Sequence, residues 1–192
     1  MTEHDHDRDH GHGEDEHDHG HHHAMSYEDS LKELREAATH YYEHQFDWRG
    51  QGPLEGFDGP RWFPPDEKFR LDARLDRDAP GAGEQVQLAT STGKLRDMTN
   101  MGQLVFEVDG AEQRLTTFLP RVADEHPVLF VPFRDATSGV DTYGSGRYVD
   151  VPYDADEEWH DLDFNYAYNP SCAFSPAYDC PFPPPGNRSR SP

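Results

Sequence analysis

From Pro60 onward the apolar residues of this chain recur at every second position, and no further stretch with helical spacing interrupts them. Phe69, Leu71, Ala73 and Leu75 alternate with Arg70, Asp72, Arg74 and Asp76, the pattern of a half-buried strand. Val86, Leu88 and Thr90 alternate with Gln85, Gln87 and Ala89. Leu104, Phe106 and Val108 lead into Asp109-Gly110, a hairpin signal, ahead of a strand around Gln113 to Leu119. The apolar run Val128 to Phe133, the segment Arg147 to Val151 and the segment Leu162 to Tyr168 bring the expected total to about seven or eight short strands. A parallel pairing needs a crossover, usually helical, and none is present, so the sheet is expected to be antiparallel. The fold class is therefore mainly β: a single antiparallel β-barrel or β-sandwich domain with one N-terminal helix. The small number of long connections favours a partly closed barrel.

Three regions precede and make up this domain. Residues 1 to 23 hold nine of the 13 histidines (His4, His6, His10, His12, His17, His19, His21, His22 and His23) with eight acids and no aliphatic or aromatic side chain. Nothing there repays the entropy of ordering, so residues 1–24 read as a disordered tail. Neutral imidazoles at every second or third position of a flexible chain bind Zn, Ni, Co or Cu, which makes a divalent transition metal on the tail the only cofactor expected; no organic cofactor is indicated. A plain solvating tail, or an extension upstream of a protein that starts at Met25, are the bland alternatives. Residues 25–50 then carry the helix: Ser26 is a good N-cap, Glu28 and Asp29 suit the dipole, and Tyr27, Leu31, Leu34, Ala38 and Tyr41 fall on one face. His40 and His44, one turn apart, lack the Glu placement of a zinc protease helix and read as surface histidines. Residues 51–192 form the β domain, ending in a proline-rich segment.

Charge narrows the function classes. With 38 acids against 17 basic residues, the formal charge is −21. Such a chain gains no counterion-release energy on a phosphate backbone and is repelled by anionic lipid, so neither nucleic acid nor membrane is an expected partner. Only Lys32, Lys68 and Lys94 represent lysine beside 14 arginines, and the acids are 23 Asp and 15 Glu. A surface of this kind makes sense in a salt-loaded cytoplasm, where self-repulsion is screened, and points to a halophilic source. No signal peptide or run of about 18 apolar residues is present, so the expected location is cytoplasmic.

The densest polar motifs lie in the C-terminal half: Phe130-Val-Pro-Phe-Arg-Asp-Ala-Thr-Ser-Gly-Val-Asp-Thr-Tyr-Gly-Ser-Gly-Arg-Tyr148, Asp163-Phe-Asn-Tyr-Ala-Tyr-Asn-Pro-Ser-Cys172 and Cys180-Pro-Phe-Pro-Pro-Pro-Gly-Asn-Arg188. Together with Trp62-Phe-Pro-Pro65, they resemble the uncharacterised family catalogued as domain of unknown function 1684, over about residues 27 to 188. The resemblance implies no established activity, substrate or cofactor. It also implies a further apolar, strand-like segment after Asn187-Arg188, whereas this chain stops at Pro192, which counts against full closure of a barrel.

Within these motifs, Gly139, Gly144 and Gly146 bracket Thr142, Tyr143 and Arg147. Successive N–H groups could form an anion nest beside the Arg147 guanidinium; the plain alternative is a tight hairpin with Arg147 paired to Asp135 or Asp150. Period two places Asp163, Asn165, Ala167 and Asn169 on the face opposite Leu162, Phe164, Tyr166 and Tyr168. That polar face is either solvated or turned into a barrel mouth. In the second case Asp163, Asn165 and Asn169 converge with Arg147, Tyr143, Thr142 and Asp135 on a small polar or anionic ligand. Cys172 and Cys180 form a local disulfide, a buried pair of free thiols, or a metal site with Asp179 or His160. No recognisable acid, base and nucleophile spacing appears, so the reading that leads is a non-catalytic small-ligand-binding β domain with a metal-binding tail. A metal-assisted or thiol-dependent hydrolase built on Asp135, Asp163 and Cys172 is the alternative.

Overall fold

The structure, a computed structural model, describes residues 25–50, 52, 55, 57–120 and 127–189. The tail histidines His4 to His23 lie outside these residues.

Helix α1 spans Tyr27–His44. Ser26 is its N-cap in extended backbone and accepts from the Asp29 N–H at 3.1 Å, which satisfies one of the donors the first turn leaves open. The helix ends at its C-cap Gln45, whose N–H donates to the Tyr41 carbonyl, and the chain turns further on, where Arg49 and Gly50 take left-handed backbone. Its buried stripe differs from the expected one: Leu31 is buried and Arg35, Ala38 and Tyr42 face inward, while Leu34 and Tyr41 are exposed. The stripe therefore runs 27, 31, 35, 38, 42 and carries an arginine in its middle. The fold places that charge at the edge of a cleft.

Seven strands follow: β1 (Arg70–Asp76), β2 (Gln85–Ala89), β3 (Leu95–Val108), β4 (Ala111–Pro120), β5 (Val128–Phe133), β6 (Arg147–Pro152) and β7 (Trp159–Asp163). They form one antiparallel sheet in the order β6-β5-β4-β3-β1-β7, with β2 added on β3. The two ends of this order meet: Tyr148 of β6 and Tyr168, beyond β7, exchange both backbone hydrogen bonds at 2.9 Å, so the sheet is a nearly closed barrel. Asp109 and Gly110, both left-handed, make the β3–β4 hairpin that their sequence announces.

Strand β3 is longer than periodicity suggests, because its first half, Leu95 to Thr99, pairs with β2 and its second half with β1. A bulge between Asn100 and Gly102 marks the transfer. At Gly102 the backbone is left-handed, and a Cβ there would lie 2.2 Å from the Asp76 carbonyl oxygen, so only glycine fits.

Inward-facing residues from every strand except β2 build the barrel core, including the fully buried Leu75, Leu104, Leu115, Leu129, Val131 and Leu162. Each such leucine contributes about 1.5 to 3 kcal/mol relative to exposure. A second cluster lies on the opposite face of the sheet, where Leu88, Met98, Phe118, Phe130 and Tyr148 are covered by Cys180, Cys172 and Tyr178 of the C-terminal segment. That cover explains the unbroken apolar run of β5: Leu129, Val131 and Phe133 enter the first cluster and Phe130 the second.

The C-terminal segment also repairs the sheet. Strands β4 and β5 share one paired position, Phe118 with Phe130. Where they separate, the Asn187 side chain substitutes for the missing ladder. Its Oδ1 accepts from Thr116 N–H at 2.8 Å, and its Nδ2 donates to Thr116 O at 2.7 Å and Pro132 O at 2.8 Å. Asn187 is 1% exposed, so these bonds exclude water.

Two expectations are corrected. Phe69 belongs to a 3-10 turn, Glu67–Phe69, ahead of β1. The expected strand Leu162 to Tyr168 ends at Asp163: the carboxylate of Asp163 accepts from the Asn165 N–H at 2.8 Å and caps a 3-10 turn over Phe164–Tyr166. A side chain that hydrogen-bonds its own backbone two residues on competes with a ladder, and here it wins.

Candidate functional site

The loop between β5 and β6 is built around Asp135. Its Oδ1 accepts from the Thr137 N–H at 2.9 Å, Thr137 Oγ1 at 2.6 Å and Ser138 Oγ at 3.3 Å, and its Oδ2 takes the Arg147 guanidinium. The Thr137 carbonyl accepts from Val140, Asp141 and Thr142, and the Thr137 and Thr142 hydroxyls lie 2.9 Å apart. Of the two readings of this loop, the structure forms the tight turn with Arg147 paired to Asp135. The N–H groups of Gly139, Val140, Asp141, Thr142 and Gly146 are all donated to carbonyls of the loop itself. Of the bracketing glycines, Gly139 and Gly146 are left-handed, and a Cβ at Gly146 would stand 2.5 Å from the Phe133 carbonyl oxygen. This close approach sets Arg147 at the first position of β6.

The Arg147 side chain is 11% exposed and that of Asp135 1%. The guanidinium carbon lies 5.3 Å from the Phe133 ring centroid and 5.7 Å from that of Phe63. Arg147 pairs with Asp135 rather than Asp150, and its Nε is buried without a hydrogen-bond partner.

Asp163 and Asn165 do converge near this region, but not on a polar strand face. Asp163 Oδ2 accepts from the Tyr27 hydroxyl at 2.6 Å, and Oδ1 accepts from Asn165 N–H and Nδ2, both at 2.8 Å. Burial and the adjacent Asp163 carboxylate push the Tyr27 hydroxyl well above its ordinary value, so it stays a donor. Asn165 exchanges two bonds of 2.9 Å with the backbone of Asp66. It thereby anchors residues 57–66, which run as an extended strap containing Trp62-Phe-Pro-Pro65.

Helix, strap and barrel rim enclose a cleft of about 790 Å³. The structure brings five of the seven ligand candidates to its wall: Arg147, Tyr143, Thr142, Asn165 and Asn169. Asp135 and Asp163 stand behind them, holding Arg147 and Asn165 in place. Sequence reasoning missed Arg35 and gave Trp62 no role; both line the cleft, with the Arg35 guanidinium 5.4 Å from the Trp62 ring centroid. Arg35 lies off the face that spacing predicts and joins the buried stripe only in the folded structure, so no sequence signal marked it. Of six buried side-chain polar atoms without a partner among the described residues, four belong to side chains that line this cleft: Arg35 Nε, Trp62 Nε1, Arg147 Nε and Asn169 Oδ1.

Cys172 and Cys180 are free thiols, half-buried and buried respectively. The Cys172 N–H donates to Cys180 Sγ at 3.3 Å. Neither metal partner considered for them joins the pair. Asp179 accepts from Thr92 Oγ1 at 2.7 Å, and the His160 ring stacks on Tyr153 at 5.9 Å. Among the described residues no group of three or more His, Cys, Asp or Glu could hold a metal ion.

No helix among the described residues is long and apolar enough to cross a membrane. No curated protein matches the chain. The solution NMR structure of an uncharacterised protein from the halophilic archaeon Haloarcula marismortui is similar at 33% identity and a TM-score of 0.65, covering 86% of this chain and 90% of that one. The sequence model of a family described as protein of unknown function, DUF1684, matches residues 55–191. The barrel, its proline-rich cover and the Arg147 loop all fall within that span, and the chain belongs to the DUF1684 family.

Proposed function

We propose that this protein is a small-ligand-binding β domain whose site is the cleft between α1, the 57–66 strap and the barrel rim. The observation that carries the reading is the set of unpartnered donors. Three side chains of its wall, Arg35, Trp62 and Arg147, each carry a buried N–H with no partner among the described residues. A buried donor left unpaired costs about 1 to 3 kcal/mol, so a turn of these side chains toward an acceptor bound in the cleft is favourable. Two of the donors are cationic, which favours an anionic acceptor such as a carboxylate. Phe57, Phe63, Phe164 and Phe174 supply apolar walls for the rest of the molecule. The ligand class is thus an amphipathic acid with a carboxylate at one end and an apolar body. The tail histidines, by composition, add metal binding at a separate place.

The hydrolase alternative receives less support. Asp135 engages Arg147 and Thr137, Asp163 engages Tyr27 and Asn165, and Cys172 engages Cys180 and Tyr143, so its three carriers belong to three separate networks.

The test is a thermal-shift comparison of the full chain with indole-3-acetate, decanoate and benzoate against their methyl esters. The expected result is stabilisation by at least one acid and not by its ester, reduced in Trp62→Phe, which keeps an aromatic ring and removes the donor. Equal shifts with acids and esters, or an acid effect unchanged in Trp62→Phe and Arg147→Lys, would refute the assignment.

A further inference from the structure

Beyond the cleft, the segment covering the outer face of the sheet carries chemistry that ligand binding does not use. Cys172 sits in the 3-10 turn Ser171–Ala173, whose first N–H groups have no partner within the turn. Its own N–H turns to Cys180 Sγ at 3.3 Å, which fixes the two residues side by side across the intervening loop. Cys180 is held in turn: its N–H donates to Ser91 Oγ at 3.1 Å and its carbonyl accepts from the Ser91 N–H at 2.9 Å. Beside the Cys172 sulfur stand the Cys180 thiol and the Tyr143 hydroxyl, the latter at 3.9 Å, while the Ser91 hydroxyl donates to the Tyr178 carbonyl at 3.1 Å. The Cys172 side chain is half-buried while Cys180 is buried, so Cys172 is the sulfur a small oxidant reaches first, and a neighbouring thiol that keeps its proton favours the Cys172 thiolate.

We propose that Cys172 and Cys180 form a hydroperoxide-reactive thiol pair, in which Cys172 is the attacking sulfur and Cys180 the resolving one. In the first step the Cys172 thiolate attacks one peroxide oxygen. The O–O bond breaks, Cys172 becomes a sulfenic acid, and the other oxygen leaves as hydroxide or alkoxide. In the second step the Cys180 sulfur attacks the sulfenic sulfur, the S–O bond breaks, and that oxygen leaves as water with the proton from Cys180. Two thiols lose two electrons in total and the peroxide gains them.

The electrostatics agree with this division of roles. The contact with the Cys180 thiol draws the Cys172 thiol down to about 6. The same contact together with burial pushes Cys180 up, so one member of the pair is ionised and the other keeps its proton. A thiolate at neutral pH beside a protonated thiol is the arrangement the two steps require. The proposal does not depend on whether the cleft holds a ligand.

The test treats the full-length reduced protein with hydrogen peroxide and follows intact mass. The expected product is lighter by two hydrogens, monomeric, and restored by a thiol reductant. Cys180→Ser should stop at an oxygen adduct on Cys172 that is trapped by dimedone, and Cys172→Ser should form neither species. Iodoacetamide should modify Cys172 first, with a rate that rises through a midpoint near 6. Modification of both cysteines at equal rates with an ordinary thiol midpoint would overturn the proposal. So would peroxide products confined to methionine, or a disulfide that forms only between two chains. Because the readouts are mass and alkylation, a failed ligand screen leaves them interpretable, and the reverse also holds.

Discussion

Arg147 and Asn187 are the two side chains on which most of the C-terminal half depends. Removing the Arg147 guanidinium strands the Asp135 carboxylate, whose side chain is 1% exposed. Arg147→Ala should therefore cost about 3 to 5 kcal/mol in urea denaturation, far beyond a surface substitution. For the same reason it is a poor probe of ligand binding, and Trp62→Phe is the better one. Asn187→Ala leaves the Thr116 N–H and two carbonyls without partners in a dry site. A loss of about 3 kcal/mol is expected, and Asn187→Asp should not rescue it because an acid offers no donor to the Thr116 and Pro132 carbonyls. The tyrosines set an alkaline limit. Burial pushes Tyr42 up to about 12 and Tyr148, Tyr168 and Tyr27 further, the last two also held up by Asp150 and Asp163. In the unfolded chain these hydroxyls ionise near 10. Above that value the unfolded state has released protons that the native state keeps, so their stabilising effect is complete below about pH 10 and declines as pH rises beyond it. Urea midpoints measured between about pH 8 and about pH 11 should stay level at first and then fall; a midpoint unchanged at the upper end would contradict the buried-tyrosine picture.

At the level of elements, the long strand β3 organises the barrel, since it serves β2, β1 and β4 in turn. Its change of partner depends on the bulge at Gly102. Gly102→Ala forces a side chain against the Asp76 carbonyl in a left-handed conformation. The expected destabilisation is on the order of 3 kcal/mol, read by thermal or urea unfolding, with far-UV circular dichroism showing whether the sheet survives. Alternation made β1, β2 and the β3–β4 hairpin legible, because each buries one face and the side-chain period is two. The N-terminal half of β3 was not legible. Leu95, Arg96 and Asp97 are all exposed, and that stretch is a strand because β2 pairs with it rather than because of its own pattern. The end of β7 was misread for a related reason: Leu162 to Tyr168 alternates like a strand, but the Asp163 side chain captures the Asn165 N–H and turns the chain. Periodicity records which positions are apolar and carries no information about a local cap that outcompetes a ladder.

Across the whole molecule the charge of −21 acts as a single variable. The tail to His23 holds eight acids and one arginine, −7 of that total, and −14 belongs to the remaining residues. At about 0.1 M salt, repulsion extends over about 10 Å; at about 1 M it extends over about 3 Å. The urea midpoint should therefore rise when KCl is raised from about 0.1 M to about 1 M, and a variant beginning at Met25 should retain most of the effect. A flat midpoint would separate the acidity of this chain from salt adaptation. Composition and periodicity by themselves determined the class of the fold, the capped helix, the Asp109-Gly110 hairpin and the acidic net charge, since each depends on residues close in sequence or on a sum over all of them. The sequence also marked Arg147, Tyr143, Asn165 and Asn169. Only the tertiary structure decided that Asp135 and Asp163 support the cleft from behind, that Asn187 completes the split between β4 and β5, and that Arg35 and Trp62 line the same cleft as Arg147. Those relations join positions up to about a hundred residues apart, and whether a polar atom finds a partner depends on what the folded chain brings within about 3 Å of it.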